Sequence, residues 1–266
     1  MNNETSIQCA DLKYVVLDVD GTILEPDSNI SWETEQAILA LVESDFEVIF
    51  ATARPYRDAI PVLPKSLQHL TIIGCNGGLI YENHQLVTSM ILNNQLVEEA
   101  LALLNAHDIA FVVDGVLDYA TCDKYHDFYH YLEDEPKALD AVLVNGVVKI
   151  MVLDEHQPVL TRLNQWENEA RCTLQFHRNE VMYAVSAPGV NKLQGIKTLG
   201  LDPQKCIMFG NDLNDLELLR HAGQAYVVGE SLTTAERPSG HVHISAVGQV
   251  HDHLLKLALM ASEVSV

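Results

Sequence analysis

Short apolar runs punctuate this chain, and each gives way to a polar cluster. Tyr14–Asp18 (YVVLD), Glu47–Ala51 (EVIFA), Thr71–Ile73 and Lys205–Phe209 (KCIMF) lack polar/apolar alternation, the pattern of strands buried on both faces. Behind Ser31, apolar Ala37, Ile38, Leu41 and Val42 recur at helical spacing, which predicts a serine-capped helix over Trp32–Ser44. A short helix over Tyr56–Val62 comes before the third strand. The order β-α-β-α-β predicts a parallel sheet with right-handed crossovers.

The rhythm changes after Tyr81. Within residues 83–186 the pattern predicts helices over Asn94–His107 and Gln157–Glu169. It predicts strands over Ala110–Asp114, Val116–Thr121, Gly146–Leu153, Thr173–His177 and Val181–Ser186. That order is α+β, with strands suited to antiparallel hairpins. The α/β alternation then resumes with helices over Asn191–Leu199 and Leu213–His221, a strand over Ala225–Val228 and a last helix over Asp252–Ala261 packed on the sheet. The expected fold class is α/β: a Rossmann-like parallel-sheet core of residues 1–82 and 187–266, interrupted by an inserted α+β cap domain of residues 83–186.

Composition narrows the partners. With 48% hydrophobic residues the chain can bury a sizeable core. Its 37 Asp and Glu against 16 Lys and Arg give a net charge of −21, which argues against nucleic acid and anionic membranes. A phosphorylated small molecule stays compatible, because a bound cation inverts the local field. Residues 1–13 have no apolar signal-peptide region, and no 18-residue apolar run suggests a membrane span. Cys9, Cys75, Cys122, Cys172 and Cys206 form no CxxC pair, so reduced thiols and a cytoplasmic location are expected. The expected assembly is a monomer or homodimer.

Candidate chemistry gathers where the apolar runs end. In DVDGT (Asp18–Thr22) two carboxylates sit two positions apart, on one side of an extended segment, with Gly21 free to turn. Such a pair repels unless a proton or a hard cation such as Mg²⁺ separates it; the plainer reading is an acidic turn closing a strand. In FGNDLND, Asn211, Asp212, Asn214 and Asp215 crowd oxygen ligands at a second strand end, although helix capping favours the same residue types. ATAR (Ala51–Arg54) offers a hydroxyl and a guanidinium to phosphoryl oxygens. Lys192, in GVNKLQG, opens a helix where the dipole disfavours a cation. It is either a solvated lysine or one held there for another purpose.

Taken together and in this order, the four segments resemble the motifs of the haloacid dehalogenase superfamily. DVDGT matches the first, Thr52 the second, Lys192 the third and GNDLND the fourth. The insert between the second and third, with CNGGLI (Cys75–Ile80) before it, is similar to the α/β cap of the Cof-type branch. The resemblance implies a Mg²⁺-dependent phosphatase for small phosphorylated metabolites, sugar phosphates or phosphorylated cofactors. It makes Asp18 the nucleophile that forms an aspartyl-phosphate and Asp20 the general acid and base. Thr52, Ala53, Arg54, Lys192 and Asn214 become the phosphate-binding set. Asp18, Asp20, Asn211, Asp212 and Asp215 become the metal set, with the Asp20 backbone carbonyl as one ligand. A phosphohexomutase of the same fold is one alternative. Two departures stand out: Asn211 where the family has Asp, and Ala53 where Gly is common. The first removes a negative charge that Asp212 restores nearby, and it motivates a further alternative, a phospho-ligand sensor without turnover.

The cap would select the substrate. Its polar candidates are Asp114, Asp118, Tyr119, His126 and Arg178, with the Tyr- and His-rich Tyr125–Tyr131 as a packing or ligand-facing surface and Glu133–Glu135 as a solvated loop. His241, His243, His251 and His253 read either as surface residues of the last elements or as a transition-metal site.

Overall fold

A computed structural model describes residues 12–25, 28–132, 134–177 and 181–264. In chain order the first elements are β1 (Tyr14–Leu17), α1 (Trp32–Glu43), β2 (Glu47–Ala51), α2 (Tyr56–Ala59), β3 (Thr71–Gly74), β4 (Leu79–Glu82) and β5 (Gln85–Ser89). There follow α3 (Asn94–Ala106), β6 (Phe111–Gly115), β7 (Tyr119–Thr121), α4 (Leu139–Val144), β8 (Val147–Val152), α5 (Gln157–Asn168), β9 (Thr173–His177) and β10 (Met182–Ser186). The chain ends with α6 (Lys192–Thr198), β11 (Cys206–Gly210), α7 (Leu216–His221), β12 (Gln224–Val228), β13 (Val242–Ile244) and α8 (Val250–Val264).

The strands form an eight-stranded sheet, β13-β12-β11-β1-β2-β3-β4-β5, and a five-stranded sheet, β7-β6-β8-β10-β9. From β13 to β3 the larger sheet is parallel, which matches the expected α/β class. Its apolar runs feed both faces, as their lack of alternation requires. Val15, Leu17 and Phe50 pack with Ile38 and Leu41 of α1 and Leu254 and Leu257 of α8, whereas Val16, Ile49 and Met208 pack with α6 and α7.

The smaller sheet is antiparallel throughout. One face carries Phe111, Val113, Ile150 and Val185, covered by Leu96 and Leu104 of α3 and Leu163 and Trp166 of α5. The other face turns towards the larger sheet: Gln175 reaches Asn76 and Lys149 reaches the Ala53 carbonyl.

Three local readings change. The hairpin β4–β5 adds two antiparallel strands to the larger sheet, so a limit at residue 82 falls between its strands. Its turn, Asn83–His84, holds both residues at positive φ, a hairpin turn without the usual glycine. The strand expected over Val116–Thr121 is confined to β7, because Gly115 N–H closes a turn on the Asp118 carbonyl. Leu213–Asp215 forms a separate 3-10 turn ahead of α7.

The chain leaves and re-enters the larger sheet at one place. Met90 N–H donates to the Gly78 carbonyl. Beside it Gly77, at φ +106°, lies so close to Asn191 that a Cβ would fall 2.4 Å from the Asn191 carbonyl oxygen.

Candidate active site

Strand β1 lies between β11 and β2, with Leu17 in register with both Phe209 and Phe50. Successive strands step away from β1 in one direction through β2 and β3, and in the other from β11 through β12 and β13. The carboxyl end of β1 is therefore a topological switch point, where open α/β sheets leave a crevice for ligands. This places the ends of β1, β2 and β11 side by side, although their residues lie far apart in sequence.

Asp18 is the buried centre. Thr22 Oγ1 donates to its Oδ2 at 2.8 Å, and Lys192 Nζ donates to its Oδ1 at 2.6 Å. Lys192 also donates to Asp215 Oδ1 at 2.6 Å and is fully buried. Its place at the start of α6 thus serves two carboxylates. Burial opposes the lysine charge, but Asp18 and Asp215 together hold its pKa above the ordinary range. Burial and the Asp215 charge outweigh the lysine at Asp18 and push that carboxyl up to about 7. Two acids sharing one cation carry a residual negative charge in a dry place.

Asp215 is anchored at its other oxygen. Oδ2 accepts from the backbone N–H groups of Asn211 and Asp212, at 2.8 and 3.1 Å. The Asp212 carboxylate accepts from Leu213 N–H and caps the 3-10 turn. Asn211 is buried against the first loop. Gly21 sits at φ +72°, where a Cβ would fall 2.1 Å from Asn211 Nδ2, so only glycine lets the two loops meet.

Asp20 points to the second loop. Its carboxylate takes three contacts of 2.8–3.1 Å from the fork of Arg54. Thr52 is fully buried, its hydroxyl accepting from Arg54 N–H and its carbonyl from Asn76 N–H. The Ala53 carbonyl accepts from Lys149 Nζ at 3.1 Å. Asn214 Nδ2 donates to Asn76 Oδ1 at 3.1 Å, and Asn76 Nδ2 donates to Gln175 Oε1 at 2.7 Å.

The expected core residues thus lie on the adjacent loops after β1, β2 and β11 and at the start of α6. Sequence reasoning left Asn76, Lys149, Arg57 and Gln175 unassigned. Asn76 lay within the noted CNGGLI, and Lys149 had a signal of its own as the one charge in the apolar run VVKIMV. The cap candidates divide. Asp114 is buried, paired with Lys149 at 3.2 Å and with Arg57. Tyr119 lies under the Arg57 guanidinium, 4.6 Å from ring centroid to carbon. Asp118 belongs to the turn before β7, and His126 Nδ1 accepts from Phe128 N–H. Arg178 and Glu133 lie outside the described residues.

The four late histidines separate. His241 bonds the Pro238 carbonyl, and His243 bonds the Gly229 carbonyl and Glu230. His251 faces Asp252, and His253 meets the Tyr226 ring edge-on. Among the described residues no three His, Cys, Asp or Glu side chains form a metal-binding group. Around Asp18 the carboxylates of Asp20, Asp212 and Asp215 are engaged by Arg54, Leu213 N–H and Lys192, so a cation there would draw on amide and backbone oxygens beside Asp18. The donor set there, a carboxylate, the Asn211 carboxamide and loop carbonyls with excess negative charge, suits a hard divalent ion. No helix among the described residues is long and apolar enough to cross a membrane.

This arrangement and the sequence agree on a class. A family model for haloacid dehalogenase-like hydrolases matches residues 15–242, and the chain belongs to that family. Among curated relatives, the HMP-PP phosphatase of Serratia proteamaculans is 27% identical, covering 92% of this chain and 96% of its own. The 5-amino-6-(5-phospho-D-ribitylamino)uracil phosphatase of Escherichia coli is 23% identical, covering 92% and 97%. Among solved structures, a haloacid dehalogenase-like hydrolase from B. subtilis superposes with a TM-score of 0.79 at 17% identity, over 92% of this chain and 99% of the other.

Proposed function

We propose that this chain is a Mg²⁺-dependent phosphatase of small phosphorylated metabolites that works through an aspartyl-phosphate. The observation that carries this reading is Asp18 itself: a buried carboxylate at the switch point, oriented by Thr22 and Lys192, with Asp20 two residues along. That both relatives above are named phosphatases supports it.

In the first step an Asp18 oxygen attacks phosphorus, and the bond to the ester oxygen breaks. Asp20 gives its proton to the departing alkoxide, which leaves as an alcohol. For this, Asp20 has to exchange the Arg54 fork for the leaving oxygen. In the second step water attacks the phosphoryl group, Asp20 takes the water proton, and Asp18 is restored as a carboxylate with release of phosphate. Lys192 holds Asp18 in line throughout, and the Thr52 loop supplies donors to the phosphoryl oxygens. Asp18, Asn211 and the Asp20 carbonyl would hold Mg²⁺, which supplies positive charge against the phosphoryl oxygens. The insert, residues 83–186 as read from the sequence, would act as the cap and exclude water.

A panel of phosphomonoesters with Mg²⁺ tests the reading. Wild-type protein should release phosphate, and Asp18→Asn should release none. Folded wild-type protein that releases none across the panel would refute it.

A further inference from the structure

Three successive carbonyls shape the loop that follows β2. The Thr52 carbonyl accepts from Asn76 N–H and the Arg54 carbonyl from Cys75 N–H, both at 2.9 Å. Those two donors come from the turn after β3, in the larger sheet. The carbonyl between them, on Ala53, is held differently. It accepts from Lys149 Nζ at 3.1 Å, and Lys149 belongs to β8 of the smaller sheet. The middle of the loop is therefore fixed from the other side of the junction.

A peptide unit is planar, so holding its carbonyl also aims its N–H. The Ala53 carbonyl shares its plane with Arg54 N–H, which donates to Thr52 Oγ1 at 3.1 Å. That bond occupies a lone pair of the Thr52 hydroxyl and leaves its own hydrogen to donate elsewhere. Ala53 N–H has no partner among the described residues. These two donors are what the loop has left for phosphoryl oxygens. Lys149 is also more than a counter-ion. Asp114, 3.2 Å from it, is already paired with Arg57, which lies in α2 where the loop ends. Burial opposes the Lys149 charge, but Asp114 keeps its pKa above the ordinary range. A buried ammonium on a carbonyl makes a charge-assisted bond and polarises the peptide unit, which strengthens the N–H contact to Thr52.

We infer that Lys149 is a positioning residue for phosphoryl transfer: by holding the Ala53 carbonyl it sets the Thr52 hydroxyl as a donor to the phosphoryl oxygens, so the smaller sheet helps to build the phosphate site itself. This deepens the phosphatase reading and rests on it.

The test uses acetyl phosphate and p-nitrophenyl phosphate with Mg²⁺, two substrates that share little beyond the phosphoryl group. Lys149→Met keeps the apolar stem and leaves Asp114 with Arg57. It should lower kcat on both substrates by the same factor, about tenfold or more, and weaken competitive inhibition by inorganic phosphate about three- to tenfold. Lys149→Arg should restore part of both losses. Ile150→Val, which trims the opposite face of the same strand, should leave both readings unchanged. Wild-type kcat and phosphate inhibition in Lys149→Met overturn the inference. So does a loss confined to one substrate, which marks a contact with the leaving group, and so does an equal loss in Ile150→Val, which marks a structural role. If Lys149→Met does not fold, Lys149→Gln takes its place: its shorter side chain gives up the carbonyl, the same losses are expected, and wild-type kcat overturns the inference. In each of these cases turnover by the wild-type protein leaves the phosphatase reading standing. Folded wild-type protein that turns over neither substrate overturns both.

Discussion

Lys192 Nζ stands 2.6 Å from Asp18 Oδ1 and the same distance from Asp215 Oδ1. One buried cation thus balances two buried acids, and the acid at 18 bears the cost, with its pKa raised to about 7. A raised carboxyl contributes stability that is whole below its unfolded pKa of about 4 and is lost as pH rises through the folded value. Asp18→Asn removes that ionisation. Without metal, its melting temperature relative to wild type should rise between pH 5 and pH 8, by at least about 2 °C. Thermal melts in a chelator check this, and a constant offset would separate Asp18 from the charge imbalance.

The Arg54–Asp20 pair is partly exposed, so it contributes little to stability, about 1 kcal/mol or less. Its weight falls on chemistry, because the Arg54 guanidinium that Asp20 gives up becomes available to the phosphoryl oxygens. Arg54→Gln should leave urea unfolding within that limit while lowering kcat about tenfold or more. Steady-state kinetics beside denaturation curves separate the two effects.

Asn211 is packed against Gly21 beside two carboxylates. Asn211→Asp adds a third negative charge there. We expect tighter Mg²⁺ binding, by about tenfold, together with a lower melting temperature in the absence of metal. Calorimetric titration and thermal melts should move in opposite directions; tighter binding without the metal-free loss would place Asn211 outside the field of Asp18.

Asp114 holds both Lys149 and Arg57 in a buried cluster across the two sheets. Burial works against its charge, but the two cations keep its pKa below the usual carboxylate value. Such an acid stabilises above its unfolded pKa, and the effect is lost as pH falls through the folded value. Asp114→Asn should cost about 3–5 kcal/mol near neutral pH by stranding buried cations. The gap to wild type, read from urea unfolding, should close in strong acid.

The parts legible in the sequence are those whose reasons are local. The runs before Asp18 and Gly210 announced central strands because both of their faces are buried, and Ser31 announced α1 because its side chain does accept from Thr34 N–H. The hairpin β4–β5 went unread, since β5 is largely exposed and its turn is Asn83–His84. Asp212 and Asp215 looked alike as oxygen donors, yet one caps a turn while the other binds Lys192. Capping and charge pairing draw on the same side chains, so only position separates them. Links such as Asn214–Asn76–Gln175 join three distant segments and leave no periodic trace.

The contact of Gly77 with Asn191, beside the Gly78–Met90 hydrogen bond, brings the outgoing and returning threads through a single doorway. A short bridge at that doorway would let the whole excursion between them be exchanged like a cassette, with the strand ends around residue 18 left in register. Recognition could then diversify by swapping one continuous stretch of gene while the reactive carboxylate kept its neighbours.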